Sequence, residues 1–275
     1  MSVDAEPRRQ HGRVLIVAGS DSGGGAGIQA DLKAVTALGG YAMTAITALT
    51  AQNTQGVFGI HEVPPAFLRQ QMELVIDDLG ADAVKTGMLH STAVIDTVCD
   101  LLSAKLPATP VVVDPVMVAK GGHPLLENSA IGSLKARLMP LADVLTPNVP
   151  EAELLTGLTI RDKSDMRAAA ETLLSLGPRA VLLKGGHLSG ETLVDVLATG
   201  DRIEVFEGTR YTTPHTHGTG CTLASAIACG LSQGMNLVDA VRRARGYVTM
   251  AIKTAPGLGG GHGPLNHSHT VRLDA

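Results

Sequence analysis

The stretch of this chain best suited to chemistry is THGTGCT at 216–222, which runs into an apolar segment over 223–229. Glycines at a helix start let bare backbone N–H groups face outward, and the helix dipole adds partial positive charge there. Gly218, Thr219 and Gly220 would then form an anion hole suited to a phosphoryl group in transfer, with Thr216 leading into it as a nucleotide contact. Cys221 falls in the first turn, where a thiol pKa tends to drop, and a thiolate there could take a proton from a substrate hydroxyl. The alternative is a glycine-eased turn with an inert buried thiol, a reading that also suits Cys229.

Three further clusters carry polar groups. NVPE at 148–151 pairs an amide with a carboxylate, and Asn148 and Glu151 could hold a phosphate oxygen and a hydrated Mg²⁺. Glu151 could equally favour a helix N-terminus. KGGH at 184–187 offers Lys184 to nucleotide phosphates, unless it merely snorkels at a sheet edge. DPVM at 114–117 offers Asp114 as a metal or water partner, or as a turn aspartate before proline. His215, His217, His262, His267 and His269 have no zinc-ligand spacing and read as loop polarity.

The elements needed to position these groups alternate. Apolar runs predict strands over 13–18, 43–49, 81–85, 111–113, 143–145 and 180–183, with a late antiparallel pair at 192–197 and 202–206. Helical patterns span 28–38, 67–79, a segment capped by Ser91 to about 104, 125–138, 164–177, 219–231 and 237–253. Strand followed by helix argues for a mainly parallel sheet covered on both faces. The polar and glycine residues fall just after strands, at Gly19–Asp21, Gln52–Asn53, Thr86–Gly87, Asp114, Asn148 and Lys184. Ligands bind outside the carboxyl ends of such strands, so these positions should converge on one pocket.

Composition narrows the classes. The 275 residues fit one α/β domain over 13–275, preceded by a loose polar tail at 1–12. Aromatic residues are 2%, which leaves no stacking platform for single-stranded nucleic acid. A net charge of −4 gives no pull toward a polyanion. Three scattered cysteines and no apolar leader suit a reducing cytoplasm, and no apolar run is long enough to span a membrane. There is no Gly-Lys dipeptide for a Walker loop, no G-x-S-x-G elbow directly after a predicted strand, and the turn at 19–27 does not fit G-x-G-x-x-G.

Taken in order, the motifs AGSDSGGGAGIQADLK at 18–33, ITALTAQNT at 46–54, KTGML at 85–89, VDPVM at 113–117, LTPNVPE at 145–151, KGGH at 184–187 and HGTGCT at 217–222 resemble one family. It is that of the bacterial hydroxymethylpyrimidine and phosphomethylpyrimidine kinases of thiamine biosynthesis, within the ribokinase-like superfamily. The resemblance covers residues 13–269. It implies a three-layer α/β/α sandwich with a mainly parallel sheet, and a kinase that uses ATP and Mg²⁺. The reaction implied is phosphorylation of 4-amino-5-hydroxymethyl-2-methylpyrimidine and then of its monophosphate. The pyrimidine would lie between Gly19, Asp31, Gln52, Met88 and Val116. Asp31 and Gln52 would hydrogen-bond the ring nitrogens and amine, and Met88 and Val116 would supply apolar walls. Asp114 and Glu151 would serve the metal, and Asn148 and Lys184 the phosphates. Relatives are often homodimers. Sugar kinases of the superfamily carry Asp where Cys221 stands, so the thiol points to the pyrimidine kinases and a related group of pyridoxal kinases. The alternatives are therefore a pyridoxine or pyridoxal kinase, or a catalytically silent pyrimidine-binding sensor. One departure is DSGGGAG at 21–27, where the family often has DPSGGAG.

Overall fold

A computed structural model describes residues 11–119 and 122–271. Nine strands form one sheet in the order β3-β2-β1-β4-β5-β6-β7-β8-β9. They are β1 (Arg13–Asp21), β2 (Tyr41–Asn53), β3 (Gly56–Glu62), β4 (Ala83–Thr86), β5 (Val111–Val113), β6 (Val144–Leu145), β7 (Ala180–Lys184), β8 (Thr192–Thr199) and β9 (Ile203–Thr209). The six from β2 across to β7 run parallel, while β3, β8 and β9 pair antiparallel at the two margins.

The central strands are buried on both faces, so they read as continuous Val, Leu and Ile. Alternate residues serve opposite layers. Leu15, Val17, Val111, Val113, Val181 and Leu183 pack into one apolar layer. With them lie α2 (Pro65–Asp78), α3 (Thr92–Lys105), α4 (Ala130–Ser133), α5 (Val149–Thr156) and α6 (Lys163–Leu174). Val14, Ile16, Val112, Ala180 and Leu182 face the other layer, formed by α1 (Gly27–Ala37), α7 (Thr219–Ser232) and α8 (Leu237–Lys253).

The chain leaves β1 toward β2 on one side and returns to β4 on the other. The reversal opens a crevice at the carboxyl ends of β1 and β4. Two irregularities in register sit at that edge, between Ala18 and Ser20 in β1 and between Ala51 and Gln52 in β2. Such bulges re-aim side chains beside binding sites.

Five local departures from expectation stand out. Strand β2 continues well past 49, and β3 folds back on it, because Thr54 and Gln55 make a tight turn at Gly56. Residues 125–138 are not one helix. Leu125 and Leu126 donate their N–H groups to Met117 O and bury in separate clusters, so helix begins only at Ala130. It continues as a wide π turn over Leu134–Leu138 and ends in a 3-10 turn containing Pro140, which has no N–H to extend an α ladder. Helix α5 is an addition. Ser91 precedes α3 as expected but makes no side-chain cap bond. Of the tail predicted for 1–12, residues 1–10 lie outside the described residues, and Gly12 is already part of the fold, accepting the Tyr41 N–H at 3.0 Å.

Helices α7 and α8 pack closely, and a Cβ on Gly230 would lie 2.7 Å from Ala240 Cβ. Gly230→Val should therefore overpack this seam and destabilise by ~1–3 kcal/mol, read as a lower urea midpoint. An unchanged midpoint would show that the seam has slack.

Candidate active site

A cavity of about 1200 Å³ opens along the carboxyl edge of the sheet. Gly19, Gln52, Met88, Asp114, Val116, Asn148, Glu151 and Lys184 line it, together with Thr216, Gly218, Thr219, Gly220 and Cys221. Positions scattered over 200 residues are thus brought to one site by strand ends.

The floor at one end is the first turn of α7. Gly218 is its N-cap in the left-handed region at φ 80, and a Cβ there would sit 1.8 Å from Gly25 O. Only glycine permits that approach. The first helical bond runs from Thr222 N–H to Gly218 O, so the N–H groups of Gly220 and Cys221 precede the ladder and point out of the helix. One layer down, Thr222 Oγ1 meets His267 Nε2 at 2.9 Å, and Tyr247 donates to His267 O at 2.7 Å. The carboxyl-terminal segment therefore clamps this turn, although its histidines read as loop polarity in the sequence.

Cys221 is half-buried, and the Gly27 backbone at the start of α1 favours its ionised form. The expected drop in its pKa does not occur. Burial pushes the thiol up to about 12, with Asp31 and Asp114 adding to the rise and Lys85 opposing it. In the resting protein it is a thiol, because desolvation outweighs the helix dipole.

Asp31 is the one predicted site residue that does not line the cavity. It is fully buried on α1, and both carboxylate oxygens accept from Lys85 Nζ, at 2.9 and 2.8 Å. Ser225 Oγ donates to it at 2.7 Å. Ser225 lies one helical turn below Cys221, so this pair is a buried support under the anion hole rather than a ring-reading group. Lys85 takes the place in the cavity wall. Burial opposes its charge, but Asp31, with Cys221 and Asp114, more than offsets this and holds the ammonium above its ordinary pKa.

A second charged group stands opposite. Lys184 Nζ donates to Asp114 Oδ1 at 3.0 Å, and Thr146 Oγ1 donates to the same oxygen at 3.2 Å. Asp114 Oδ2 would lie 3.5 Å from a Cβ on Gly220, so it faces the anion hole. Asn148 and Glu151 form a reciprocal capping box that opens α5: Asn148 Oδ1 accepts Glu151 N–H at 2.9 Å, and Glu151 Oε2 accepts Asn148 N–H at 2.8 Å. Burial lifts the Glu151 carboxyl to about 7, against the pull of Lys184 and with the push of Asp114. A buried carboxyl raised by a neighbouring carboxylate beside a cavity fits a hydrated divalent cation, which would relieve the repulsion on Glu151.

At the other end, Met88 Sδ packs within 3.0 Å of the Gly19 Cβ position, and Val116 lies close by. Gln52 approaches His217 Nε2 at 3.1 Å, and His217 reaches Asp21 Oδ2 at 3.0 Å. Asp21 also accepts backbone N–H groups from Gly23, Gly25 and Ala26. Burial alone would raise its pKa, but His217 and these N–H groups hold it below the usual carboxylate range. Sequence reasoning gave no site role to Lys85 or His217, and placed Asp21 only among the polar residues beyond strand ends. The signal for all three was their place inside the ordered motifs at 18–33, 85–89 and 217–222.

Comparison with known proteins follows this geometry. The family model described as phosphomethylpyrimidine kinase matches residues 21–266. The thiamine biosynthesis bifunctional protein ThiED of Geobacter sulfurreducens is 56% identical over 256 residues, covering 93% of this chain. This chain spans about half of that protein's length (52%). The hydroxymethylpyrimidine/phosphomethylpyrimidine kinase of Streptomyces coelicolor is 52% identical over 254 residues, covering 92% of this chain and 93% of that one. Among solved structures, an ADP complex of Bacillus subtilis pyridoxal kinase superposes with a TM-score of 0.86 at 36% identity, covering 94% of this chain and 98% of that one.

Two outcomes test the electrostatics. Asp31→Ala leaves Lys85 buried and unpaired and should cost ~3–5 kcal/mol. Adding Lys85→Met should restore much of that loss in urea unfolding, and no recovery would mean the pair is not the source. For Glu151, the folded protein keeps a proton that the unfolded chain releases near 4.5, until pH reaches about 7. Stability should therefore fall as pH rises through that window, by roughly 1–3 kcal/mol. Glu151→Gln should flatten this slope, and an unaltered slope would assign it elsewhere.

Proposed function

The chain belongs to the phosphomethylpyrimidine kinase family, with a ribokinase-like fold, and on that premise we propose that it transfers phosphate from ATP to 4-amino-5-hydroxymethyl-2-methylpyrimidine and then to the monophosphate, in thiamine biosynthesis. The observation that carries this reading is the two-ended cavity. One end gathers the outward N–H groups of Gly220 and Cys221 with Lys184 and Asp114, and the other gathers Gln52 with Met88 and Val116. A phosphoryl group in flight and a small heteroaromatic ring are the two things these ends suit.

The residues divide the work as follows. Lys184, together with Asn148 and Thr216, neutralises and orients nucleotide phosphates. The N–H groups of Gly218 to Cys221 stabilise charge on the transferring phosphoryl. Mg²⁺, when bound, screens charge between phosphates, and Asp114 and Glu151 would hold it largely through water. Gly19, Met88 and Val116 flank the ring while Gln52 reads its edge. Cys221 accepts the proton of the substrate hydroxymethyl group. It starts as a thiol, so the first transfer should quicken as pH rises and more thiolate forms.

The pyridoxal kinase reading has support from the structural likeness at 36% identity, whereas the relatives at 52% and 56% carry pyrimidine kinase and thiamine biosynthesis names. The three cysteines are unpaired and no described helix is long and apolar enough to cross a membrane, which is compatible with a cytoplasmic enzyme. Mass-resolved products from ATP, Mg²⁺ and the hydroxymethylpyrimidine, with pyridoxal in a parallel tube, separate the readings. Mono- and then diphosphorylated pyrimidine is expected, and phosphorylated pyridoxal beside untouched pyrimidine would overturn the substrate.

The second acceptor is a phosphate, already largely ionised, and barely needs a base. Cys221→Ala should accordingly slow the first transfer by ~10²–10⁴ and the second far less. Equal losses in the two transfers would remove the base role from Cys221.

A further inference from the structure

Gln52 has two terminal atoms and two fixed neighbours. One terminal atom lies 3.1 Å from His217 Nε2 and the other 3.1 Å from Thr50 Oγ1. A half-turn of the amide exchanges its nitrogen and oxygen, so the neighbours decide which atom goes where.

The decision starts at Asp21. Its carboxylate accepts three backbone N–H bonds, from Gly23 at 2.8 Å, Gly25 at 3.1 Å and Ala26 at 2.8 Å. An ionised carboxylate can only accept. His217 Nε2, 3.0 Å from Asp21 Oδ2, must therefore carry the hydrogen and donate it. It then has no lone pair for Gln52. A Gln52 N–H aimed at it would set donor against donor, and the amide oxygen belongs there instead. The other end agrees. Thr50 Oγ1 donates its single hydrogen to Ser20 O at 2.9 Å, which leaves that oxygen as an acceptor and calls for the Gln52 nitrogen. One arrangement satisfies every group: Gln52 N–H to Thr50, Thr50 O–H to Ser20 O, and His217 Nε2–H shared between Asp21 and Gln52 Oε1. Thr50 and Asp21 are buried, so water does not relax the choice.

We infer that His217 and Thr50 lock the amide of Gln52 in one orientation, and that this lock selects an amino-substituted ring edge over the corresponding oxo edge. The inference rests on the pyrimidine substrate proposed above. An aminopyrimidine edge sets an accepting ring nitrogen beside a donating amine. Its oxo analogue, in the lactam form, sets a donating ring N–H beside an accepting carbonyl. The two edges are reversed copies. Reading the second needs Gln52 turned around, against both His217 and Thr50. The ring cannot turn over to compensate, because its hydroxymethyl group must still reach Cys221. A site built this way rejects the wrong pattern through unpaired polar groups, and such rejection is strong. His217 and Thr50 are positioning residues that act through Gln52.

The test compares kcat/KM on 4-amino- and 4-oxo-5-hydroxymethyl-2-methylpyrimidine, with ATP and Mg²⁺ and products resolved by mass. The wild-type ratio should exceed ~10² in favour of the amino compound. His217→Leu and Thr50→Val should each lower that ratio by about tenfold, chiefly by improving or sparing the oxo substrate. Thr50→Val removes one hydroxyl bond to Ser20 O but leaves the Asp21 carboxylate with its His217 and backbone N–H partners, so it gives the answer even if His217→Leu fails to fold. A purely structural role would reduce activity on both substrates alike. Ratios kept within about threefold in the folded variants would therefore overturn the lock alone. Wild-type protein that phosphorylates pyridoxal but not the amino compound would overturn the substrate reading and the lock together.

Discussion

The architecture of the site depends on Asp21 as a knot between distant parts of the chain. Its carboxylate gathers three N–H groups of the glycine-rich turn and the ring of His217. That draws the entry of α1 against the entry of α7, close enough for Gly25 O to occupy the space where a side chain on residue 218 would be. Two helix N-termini then point into one cavity. The Gly27 backbone favours a thiolate at Cys221, and the N–H groups of Gly220 and Cys221 stay open to an anion. A glycine-rich loop elsewhere is a source of flexibility. Here the carboxylate fixes it, so the anion-binding donors are in place before any ligand arrives, and such preorganised donors need no rearrangement during reaction.

The charges beneath that floor impose a different constraint. Lys85 and Asp31 are both fully buried, an arrangement that is seldom favourable for stability by itself. Lys184 and Asp114 form a second pair at the cavity wall. The fold thus holds two ammonium groups near a site that will receive highly charged phosphates. Lys85 is committed to Asp31 and acts from below. Lys184 is partly exposed, at 13%, and shares Asp114 with Thr146, so it is the cation with freedom to meet a ligand. This division explains why two lysines on parallel strands of one sheet, β4 and β7, do not have the same role.

Most of the frame was legible because it rests on periodicity. Buried parallel strands are unbroken apolar runs, and the polar residues just beyond them had to converge once the sheet was parallel. Gly19, Gln52, Asp114, Asn148 and Lys184 were found in that way and do share one cavity. What escaped depended on contacts distant in sequence. Asp31 sits within an ordered motif next to residues that do line the site, and nothing local says that Lys85, 54 positions on, captures it. His217 looked like loop polarity because its partners Asp21 and Gln52 lie on other strands. The capping box at Asn148 and Glu151 was visible as N-x-x-E with a proline inside, yet the same spacing also suited a metal, and the two readings turn out to be compatible. The broken helix over 125–138 failed for a simpler reason: its leucines answer to Met117 and to two separate clusters, not to one helical face.

The balance of charge also gives a physical reason for a thiol at position 221. Three carboxyls, Asp31, Asp114 and Glu151, already surround this end of the cavity, against two lysines. Glu151 shows the strain of that excess, since burial and Asp114 hold it near 7 even with Lys184 beside it. A carboxylate at 221, as in the sugar kinases of the superfamily, would add a fourth negative charge in the same low-dielectric space. It would be met by rising pKa values all round, and by repulsion of the incoming phosphates. A thiol avoids this, because it stays neutral at rest and pushed up to about 12. In the base role proposed for Cys221, its cost is a weak base for most of the time. That cost is tolerable if the transition state is loose, with little bond formation to the nucleophile and proton removal coming late. The buried Lys85 then has a clear purpose: its charge is the nearest fixed counter-ion for the thiolate when one forms, and Asp31 keeps it in place without presenting its own carboxylate to the cavity.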